Sequence, residues 1–334
     1  MSGHRLSSLA PRLATYVLLL GLFAFGSLAY PNFASVAVVR NLLVDNAFLA
    51  VAAIGATIVI LSGGIDLSVG SVMAFTSILA ATLIEDHHVH PLVAFAAALV
   101  CGGVFGMLQG ALIAKFELPA FMVTLAGMFF ARGAAFAVHP QSVGIQHPFV
   151  ANTLNDALSF HLDIGARGTV IPVTVPVLFV LFAAAWFVLR HMRFGRAVYA
   201  IGDDASAALL MGLAVGAVRV RVYALSGVLS ALAGVFFCLY QQSGDPASCK
   251  GMELDVIAAV IIGGTLLRGG VGTVAGSFAG VMILGIIQTI ISFQGDLSSW
   301  WTRIVAAGIV LIFLLMHRLV ESLATPSSFR SSTA

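Results

Sequence analysis

The chain has 334 residues, of which 60% are hydrophobic and only 9% are charged. Soluble domains carry roughly 25% charged residues, so this composition excludes a soluble globular protein. The formal net charge is +2 and the only lysines are Lys115 and Lys250, which excludes the basic surface typical of nucleic-acid-binding proteins. We therefore predict an all-α polytopic membrane protein.

Apolar residues form ten stretches along the chain. A membrane-spanning helix needs about 20 residues, so we predict about ten transmembrane helices (8–10) that form one bundle over 13–318 of a single domain (1–334). Two stretches, 71–84 and 254–267, are short, and the sequence leaves open whether they cross fully. The ten stretches are 13–29, 45–62, 71–84, 91–114, 119–138, 169–189, 222–242, 254–267, 271–292 and 300–317.

The first stretch, Leu13–Ala29, follows Arg5 and Arg12 and so resembles a secretory signal peptide. It is longer than the roughly 7–15 apolar residues of a signal peptide, and further apolar segments follow it. We therefore predict a first transmembrane helix that stays attached.

The basic residues favour ten crossings with both termini in the cytoplasm. In that layout 11 of the 16 basic residues lie on the cytoplasmic side, as the positive-inside rule requires. The arginine-rich stretch 190–221 is then a cytoplasmic loop, and 139–168 is the longest periplasmic loop. The 11 residues are Arg5, Arg12, Lys115, Arg190, Arg193, Arg196, Arg219, Arg221, Arg268, Arg318 and Arg330.

Histidines gather in the predicted periplasmic loops, at His87, His88 and His90 and again within 139–168. The His-x-His spacing can chelate a metal ion. The pattern is more typical of a solvated loop tip, so we predict no metal site.

The segment Leu61–Ser71 reads LSGGIDLSVGS, a glycine-broken patch with one carboxylate, Asp66, between long apolar segments. An aspartate at bilayer depth costs roughly 2.5–3.5 kcal/mol on insertion scales, and glycine weakens a helix, so the patch indicates a functional helix break. Asp66 either faces a translocation path or accepts backbone N–H bonds from Ser68 or Val69 as a helix cap. The sequence leaves both interpretations open.

The patch has an echo in the second half of the chain. Val59–Gly64 is repeated at Val260–Gly264, and Val69–Val72 at Val271–Val274, in the same order. This predicts a weak parallel repeat with glycine-broken helices, although chance similarity in a glycine-rich chain is the alternative. Paired glycine-interrupted segments point to a transport site. To the translocation path and helix breaks we assign Asn46, Ser62, Gly63, Gly64, Asp66, Ser68, Gly70, Gly263, Gly264 and Gly272.

Two further sets of glycines recur every four residues, a spacing that lets helices pack closely. We predict that both sets are packing faces. They are Gly102, Gly106 and Gly110, and Gly272, Gly276 and Gly280.

The cytoplasmic stretch 190–221 contains arginines, then Asp203 as a possible N-cap, then a helix-forming run Ala205–Met211 that ends at Gly212. A short amphipathic helix in such a loop suits docking into a groove on a partner. An arginine-rich loop that only obeys the positive-inside rule is the alternative.

Several catalytic motifs are missing from the sequence. It contains no Gly-x4-Gly-Lys-[Ser/Thr] phosphate loop, no His-Glu-x-x-His and no Gly-x-Ser-x-Gly. We therefore predict that the chain is not an enzyme.

Long ordered motifs resemble the ribose-type ABC sugar permease family. They are LSGGIDLSVGS (61–71), PAFMVTLAG (119–127), RFGRAVYAIG (193–202) and VIIGGTLLRGGVGT (260–273). Within that family, three segments look closest to galactofuranose-transporter permeases: MFFARG (128–133), ELDVIAAV (253–260) and LSSWW (297–301). The resemblance covers residues 13–318.

This resemblance implies the permease subunit of a bacterial inner-membrane importer for a monosaccharide such as galactofuranose or ribose. The expected partners are a second permease subunit, a periplasmic sugar-binding protein and a cytoplasmic ABC ATPase. ATP and Mg²⁺ would bind on the ATPase, and no cofactor is expected in this chain. The expected ATPase-coupling residues are Arg193, Phe194, Gly195, Arg196, Asp203 and Asp204.

Two segments depart from the family pattern. Gly202-Asp203-Asp204 stands where the family commonly has Gly-Gly-Asn, and 244–250 is more polar than its usual counterpart. The first bears on the ATPase contact and the second on the identity of the sugar. The residues themselves also allow a cation-coupled secondary transporter that uses Asp66, or a membrane receptor or scaffold.

Overall fold

The computed structural model describes residues 2–150, 160–162, 169–296, 298 and 300–324. Each of the ten apolar stretches contains most or all of the length of a helix, which confirms the predicted all-α architecture. The helices are α1 (Ser2–Ala29), α2 (Val36–Asp45), α3 (Ala47–Leu61), α4 (Val69–Glu85), α5 (Pro91–Lys115), α6 (Ala120–Val138), α7 (Thr174–His191), α8 (Arg193–Asp203), α9 (Ala205–Leu210), α10 (Val215–Gln241), α11 (Met252–Ile262), α12 (Val274–Gln294) and α13 (Trp300–Ala324). Four short strands, β1 (Val143–Gly144), β2 (Phe160–Leu162), β3 (Thr169–Ile171) and β4 (Ser243–Gly244), pair antiparallel as β1 with β4 and β2 with β3.

Five described helices are long and apolar enough to cross a membrane, namely α5, α6, α7, α10 and α12. Helices α2 and α3 meet at a bend of 50° and form a sixth span if counted together, while α4 and parts of α1 and α13 are shorter apolar helices. Helix α11 has 11 residues, which at 1.5 Å per residue is about 16 Å, against a hydrocarbon core of about 30 Å. The helix in the stretch 254–267 is therefore too short to cross by itself.

The first glycine-broken patch lies between two antiparallel helices. Phe48 at the beginning of α3 packs on Phe237 near the end of α10, and the Ser77 carbonyl of α4 contacts the neighbouring Cys238 thiol. Ile65, between α3 and α4, instead contacts Tyr223 near the beginning of α10. Helix α3 therefore runs towards the beginning of α10, and α4 returns alongside it.

The second patch has the same arrangement between α11 and α12. Gly276 of α12 packs on Gly263 at the end of α11, and Gly280, one turn later, packs on Ala259, one turn earlier. This contact order is that of antiparallel helices. The repeated sequence therefore forms a repeated helix–break–helix unit, in which α11 and α12 pack on each other whereas α3 and α4 both pack on α10.

The two helix breaks lie together, and α1 is hydrogen-bonded to the second of them. The Gly270 N–H of the second break donates to the Leu61 carbonyl at the first, at 3.0 Å. The Thr15 hydroxyl of α1 donates to the Ile262 carbonyl at the end of α11, at 2.7 Å. The repeat is therefore parallel, as predicted, and α1 is an integral helix of the bundle.

Small residues let α5 pack closely on α10, as predicted for the first glycine face. A Cβ built on any glycine of that face would clash with atoms of α10. In the second set, the prediction of a packing face is confirmed only for Gly276 and Gly280, which pack on α11. Gly272 precedes α12 and packs on Thr265 instead, so the prediction for it was wrong. The glycines of the first face are Gly102, Gly106 and Gly110.

The predicted periplasmic loop 139–168 is described only in part, because 151–159 and 163–168 lie outside the described residues. Its first part is anchored to the end of α4. The Glu85 carboxylate accepts hydrogen bonds from two consecutive backbone N–H groups, the second being that of His147 at 3.0 Å.

Gly106→Leu is expected to destabilise the fold, because the new side chain would overlap the Tyr223 carbonyl across the α5–α10 interface. Overpacking of this kind costs about 1–3 kcal/mol, so the detergent-solubilised variant should unfold at a lower temperature than the wild type. Gly133→Leu is the matched control, since nothing lies within 4 Å of a Cβ at Gly133. Equal melting temperatures for the two variants would contradict the packing assignment.

Candidate functional site

The first helix break closes α3 with a pair of backbone hydrogen bonds. The Gly63 N–H donates to the Ile60 carbonyl at 2.9 Å, and the Gly64 N–H to the Val59 carbonyl at 3.0 Å. Gly63 has φ +78°, the left-handed conformation that glycine adopts without steric cost. The Ser62 hydroxyl adds a bond to the Val59 carbonyl at 2.7 Å. Helix α3 therefore ends with partners for its last carbonyls.

The second helix break repeats this geometry. The Gly264 N–H donates to the Ile261 carbonyl at 2.8 Å, and the Thr265 N–H to the Val260 carbonyl at 3.2 Å. Gly264 has φ +82° and so corresponds to Gly63 in conformation. The sequence echo is therefore also a structural one.

The first break and the extended segment after it have hydrogen-bond partners from three other elements. The Ile65 carbonyl accepts from the Tyr223 hydroxyl at 3.2 Å and from the Thr124 hydroxyl at 3.4 Å. The Leu61 carbonyl accepts from the Gly270 N–H. Since an unpaired backbone group in hydrocarbon costs several kcal/mol, these contacts make a non-helical segment tolerable inside the bundle.

Asp66 lies in that segment and is only 4% exposed. Its Oδ1 accepts from the backbone N–H of Ser68 at 2.9 Å and from the Ser68 hydroxyl at 2.6 Å, and its Oδ2 accepts from the Ser226 hydroxyl at 2.7 Å. The Ser68 hydroxyl also lies 3.3 Å from Oε1 of Gln109. Three donors therefore hold the buried carboxylate. Helix α4 begins at Val69 with Ser68 in the N-cap position, so Asp66 lies two residues before the cap, and its bond with the Ser68 N–H closes a turn that precedes the helix. The predicted capping role of Asp66 was therefore wrong.

Four glycines bring the end of α8 against both helix breaks. A Cβ built on Gly202 of α8 would overlap the Leu61 carbonyl and lie 2.5 Å from the Gly270 nitrogen. A Cβ on Gly269 would lie 2.8 Å from both the Gly202 oxygen and the Gly63 nitrogen. We call Gly63, Gly202, Gly269 and Gly270 the glycine junction. Three backbones meet there with no room for a side chain.

The rest of α8 is packed onto the same end of the bundle. Its buried residues Ala197, Val198 and Ile201 join an apolar cluster with α3 and the beginning of α10. The Tyr199 hydroxyl donates to the Gly272 carbonyl at 3.0 Å, just before α12. Helix α8 therefore contacts both halves of the repeat along its length.

The predicted coupling residues on α8 face in two directions. Arg193 and Arg196 are exposed, and the Arg196 guanidinium donates to the His191 carbonyl at 3.1 Å. Phe194 is partly buried, and Gly195 packs directly on the Leu189 backbone. Of the predicted coupling residues on α8, the two arginines and Asp203 are thus presented to a partner.

The cap of α9 is Asp204 and not Asp203, which corrects the sequence prediction. The Asp204 Oδ1 accepts from the Ser206 N–H at 2.8 Å and from the Ala207 N–H at 3.0 Å. Helix α8 continues through Asp203 because Gly202 seats its last turn in the glycine junction. Both aspartates are exposed.

Helix α9 ends in three exposed apolar side chains. Leu209, Leu210 and Met211 are 63%, 89% and 70% exposed, in the arginine-rich stretch between α7 and α10. We call these three residues the apolar tip. The sequence analysis did not single them out, because the same residues would also suit the buried face of a short helix.

At the opposite end of the bundle lies a cavity of about 640 Å³. It is lined by the ends of α3, α10, α11 and α12 that lie farthest from the glycine junction, together with α2 and α13. Of the ten predicted path residues only Asn46 lines it, and the Asn46 amide donates to the Leu42 carbonyl at 2.9 Å. We call this space the polar cavity, after Asn41, Asp45, Tyr240, Asp255, Gln288 and Arg303 in its wall.

The predicted path residues therefore do not form a single site. Most lie at the two breaks, Asp66 and Ser68 lie in a buried cluster, and Asn46 lies at the other end. Gly70, the second residue of α4, packs on Glu253 at the beginning of α11. Their part in translocation stays a prediction.

Metal-ligand types do not converge within the described part of the chain: no three His, Cys, Asp or Glu residues there are placed to share a metal ion. His90, one of the loop histidines, is the N-cap residue of α5. Its Nδ1 accepts from the Leu92 N–H at 3.3 Å and caps α5.

Gly202→Ala is expected to lower the stability of the protein, because a methyl group would push α8 away from the Leu61 carbonyl. Overpacking predicts a loss of about 1–3 kcal/mol, measurable as a lower melting temperature by fluorescence-monitored unfolding. Gly216→Ala is the matched control on the neighbouring helix, since the nearest atom to its Cβ, in Ala114, lies 3.7 Å away. A Gly202→Ala variant as stable as the control would show that the glycine junction has room for a methyl group.

Comparison with known proteins places these features in a family. Residues 38–315 match the model of a family described as branched-chain amino acid transport system / permease component. The inner membrane ABC transporter permease protein YjfF of Escherichia coli K12 is 46% identical over 303 residues, covering 90% of each chain. The ribose import permease protein RbsC of the same organism is 38% identical over 300 residues, covering 90% of this chain and 91% of the relative.

A third relative, the fructose import permease protein FruG of Bifidobacterium longum, is 34% identical over 318 residues, covering 93% of this chain and 91% of the relative. No solved structure matches the chain. The resemblance to ribose-type ABC permeases is confirmed, and an ABC permease component is a multi-pass transport subunit, neither an enzyme nor a cation-coupled carrier. The chain belongs to the family of permease components described for the branched-chain amino acid transport system.

Proposed function

We propose that the chain is the permease subunit of a bacterial ABC importer that moves a monosaccharide across the inner membrane. The observation that carries this proposal is the glycine junction, which joins α8 to both halves of the repeat. A displacement of α8 by a partner that hydrolyses ATP is transmitted directly to the ends of α3 and α11. The two helix breaks then move together.

The junction end of the bundle is the cytoplasmic end, and both termini are cytoplasmic. Basic residues support this orientation, because Arg193, Arg196 and Arg268 are all exposed there and basic residues favour the cytoplasmic side. Trp300 and Tyr240 lie at the opposite end, where aromatic rings suit the membrane interface.

The ATPase docks on the apolar tip and on the two exposed arginines of α8. An exposed apolar cluster rimmed by charge is typical of a protein interface, and Leu210 at 89% exposure is its most prominent side chain. ATP and Mg²⁺ bind on that partner. A second permease subunit and a periplasmic sugar-binding protein complete the importer.

The sugar is a monosaccharide of the ribose or galactofuranose type. Relatives named as ribose and fructose import permeases support a sugar, and the segments 128–133, 253–260 and 297–301 make galactofuranose the first to be tested. The family description names branched-chain amino acids, so L-leucine is the competing substrate.

The proposed function is tested by reconstituting the chain in proteoliposomes with and without its ATPase and binding protein. Sugar uptake is expected only with both partners and ATP. Uptake by the chain alone under a proton gradient, or uptake of L-leucine in place of sugars, would overturn the proposal.

Leu210→Asp and Arg193→Glu are each expected to weaken ATPase docking. The first places a carboxylate in the apolar part of the contact, and the second places one in the basic part. Co-purification of the ATPase should fall at least about tenfold, the loss expected for a central interface residue, while membrane insertion is unchanged. Lys250→Glu, a charge reversal at the far end of the bundle, should leave co-purification intact. If the ATPase co-purifies with Leu210→Asp as well as with the wild type, the apolar tip is not part of the interface.

Asp66→Asn is expected to destabilise the protein, because the hydrogen bonds from the two hydroxyls and the backbone N–H are made to a charged acceptor. Hydrogen bonds to charged groups contribute about 1.5–3 kcal/mol each, so the melting temperature should fall. ATP-driven uptake per folded molecule should be retained. Uptake lost in a variant of normal stability would instead show that the carboxylate acts on the substrate.

A further inference from the structure

Polar side chains line the cavity near the ends of the helices that form it. Gln288, Thr289 and Ser292 follow one another on α12 and all line it, and Gln288 and Ser292 are exposed. Polar side chains in membrane helices face the bundle interior or a water-filled space rather than lipid. The cavity is therefore a hydrated part of the permease.

Carboxylates face this space from two different helices. Asp45 comes from the end of α2 and accepts a hydrogen bond from the Tyr240 hydroxyl, and Asp255 comes from the first turn of α11. Each carboxylate offers two oxygens that accept hydrogen bonds. Gln288 adds an amide that both donates and accepts.

The only arginine in the described cavity wall is already engaged. The Arg303 guanidinium donates to the Lys250 carbonyl at 3.2 Å and lies 5.2 Å from the centre of the Trp300 ring. Arg303 also lies near enough to Asp255 to attract that carboxylate.

Aromatic rings complete the wall. Trp300, Tyr240 and Phe293 line the cavity, and Trp300 is 66% exposed. Flat apolar rings beside convergent polar groups are the usual composition of a small-molecule site, and its volume lies within the roughly 300–1,000 Å³ of such pockets. A monosaccharide has hydroxyl groups that hydrogen-bond to carboxylates and amides. Its C–H faces pack on aromatic rings.

We propose that the polar cavity holds the monosaccharide during its passage, with Asp45, Asp255 and Gln288 binding hydroxyl groups and Trp300 packing on the sugar ring. This inference rests on the proposed function and adds the substrate-binding residues to it. The sequence analysis identified none of these four as a site residue.

The position of the cavity connects it to the glycine junction. Helix α3 begins beside Asp45 and ends at the first break, and α11 begins beside Asp255 and ends at the second. Helix α3 has 15 residues and is about 22 Å long. Rigid helices thus run from the sugar-holding end to the end that α8 moves.

The test uses the complete importer in proteoliposomes and radiolabelled D-galactose, D-ribose, D-fructose and L-arabinose. Whichever sugar the wild type takes up is then used for Asp255→Asn, Gln288→Ala and Trp300→Ala. Uptake is expected to fall at least about tenfold in each, the loss expected when a polar partner or a ring contact is removed from a site. ATPase co-purification and melting temperature should stay at wild-type values. Asp296→Asn, which changes an exposed carboxylate outside the cavity, is the matched control.

A second measurement detects the sugar directly. Ser292→Cys is introduced into a Cys101→Ser background. The remaining cysteines, Cys238 and Cys249, are buried, and burial raises the pKa of the Cys249 thiol to about 12, so it stays protonated and unreactive at neutral pH. The transported sugar is expected to slow labelling of Cys at 292 by a water-soluble thiol reagent at least threefold, and Trp300→Ala should abolish this protection.

The outcomes separate this inference from the function on which it rests. A wild-type importer that takes up none of the four sugars overturns the proposed function, and the sugar site with it. Sugar uptake that survives in all three cavity variants, or labelling at 292 that no transported sugar slows, overturns the cavity assignment alone. The cavity assignment is also overturned if Asp296→Asn loses as much uptake as Asp255→Asn.

Discussion

The structure depends on satisfying the backbone at two helix breaks inside a membrane bundle. A helix that stops there leaves carbonyl groups that water cannot reach, and each one left unpaired costs several kcal/mol. The chain supplies partners from distant elements: the Tyr223 and Thr124 hydroxyls for Ile65, the Gly270 N–H for Leu61 and the Thr15 hydroxyl for Ile262. Because these donors come from α10, α6, α1 and the opposite repeat, satisfying the breaks also fixes how the helices assemble.

The same constraint explains why the contact between α8 and the breaks is made by glycine. Where three backbones meet within hydrogen-bonding distance, a side chain would separate the groups that need one another. Close-packed interiors are nearly incompressible, so a joint built from Gly202, Gly269 and Gly270 passes a displacement on instead of absorbing it. By contrast the Asp66 cluster, although it first attracts notice in the sequence, is a buried set of hydrogen bonds beside the joint.

The features of this arrangement that have local sequence signals could be predicted from the sequence. The features that depend on contacts between distant segments could not. Apolar length predicted ten helices, and the glycine echo predicted paired breaks, because both signals are local. The meeting of Gly202 with Gly269 joins segments 67 residues apart in the numbering, and no local pattern reports it. The sequence predicted docking for the run Ala205–Met211 as a whole but not which of its side chains are exposed, because exposure is a tertiary property. The polar cavity was missed because Asp45, Asp255 and Gln288 are isolated polar residues on separate helices that only the fold brings together.

The hydrogen bond from Thr15 to the Ile262 carbonyl joins residues 247 positions apart. At the usual 5–20 residues per second, a ribosome needs on the order of 10–50 s to travel between them. During that interval α1 is already made, while the carbonyl that its hydroxyl pairs with does not yet exist. The final closure of the bundle around the second break is thus a late event in biosynthesis, because most of the chain must be made before the buried hydroxyl of the first helix has its acceptor.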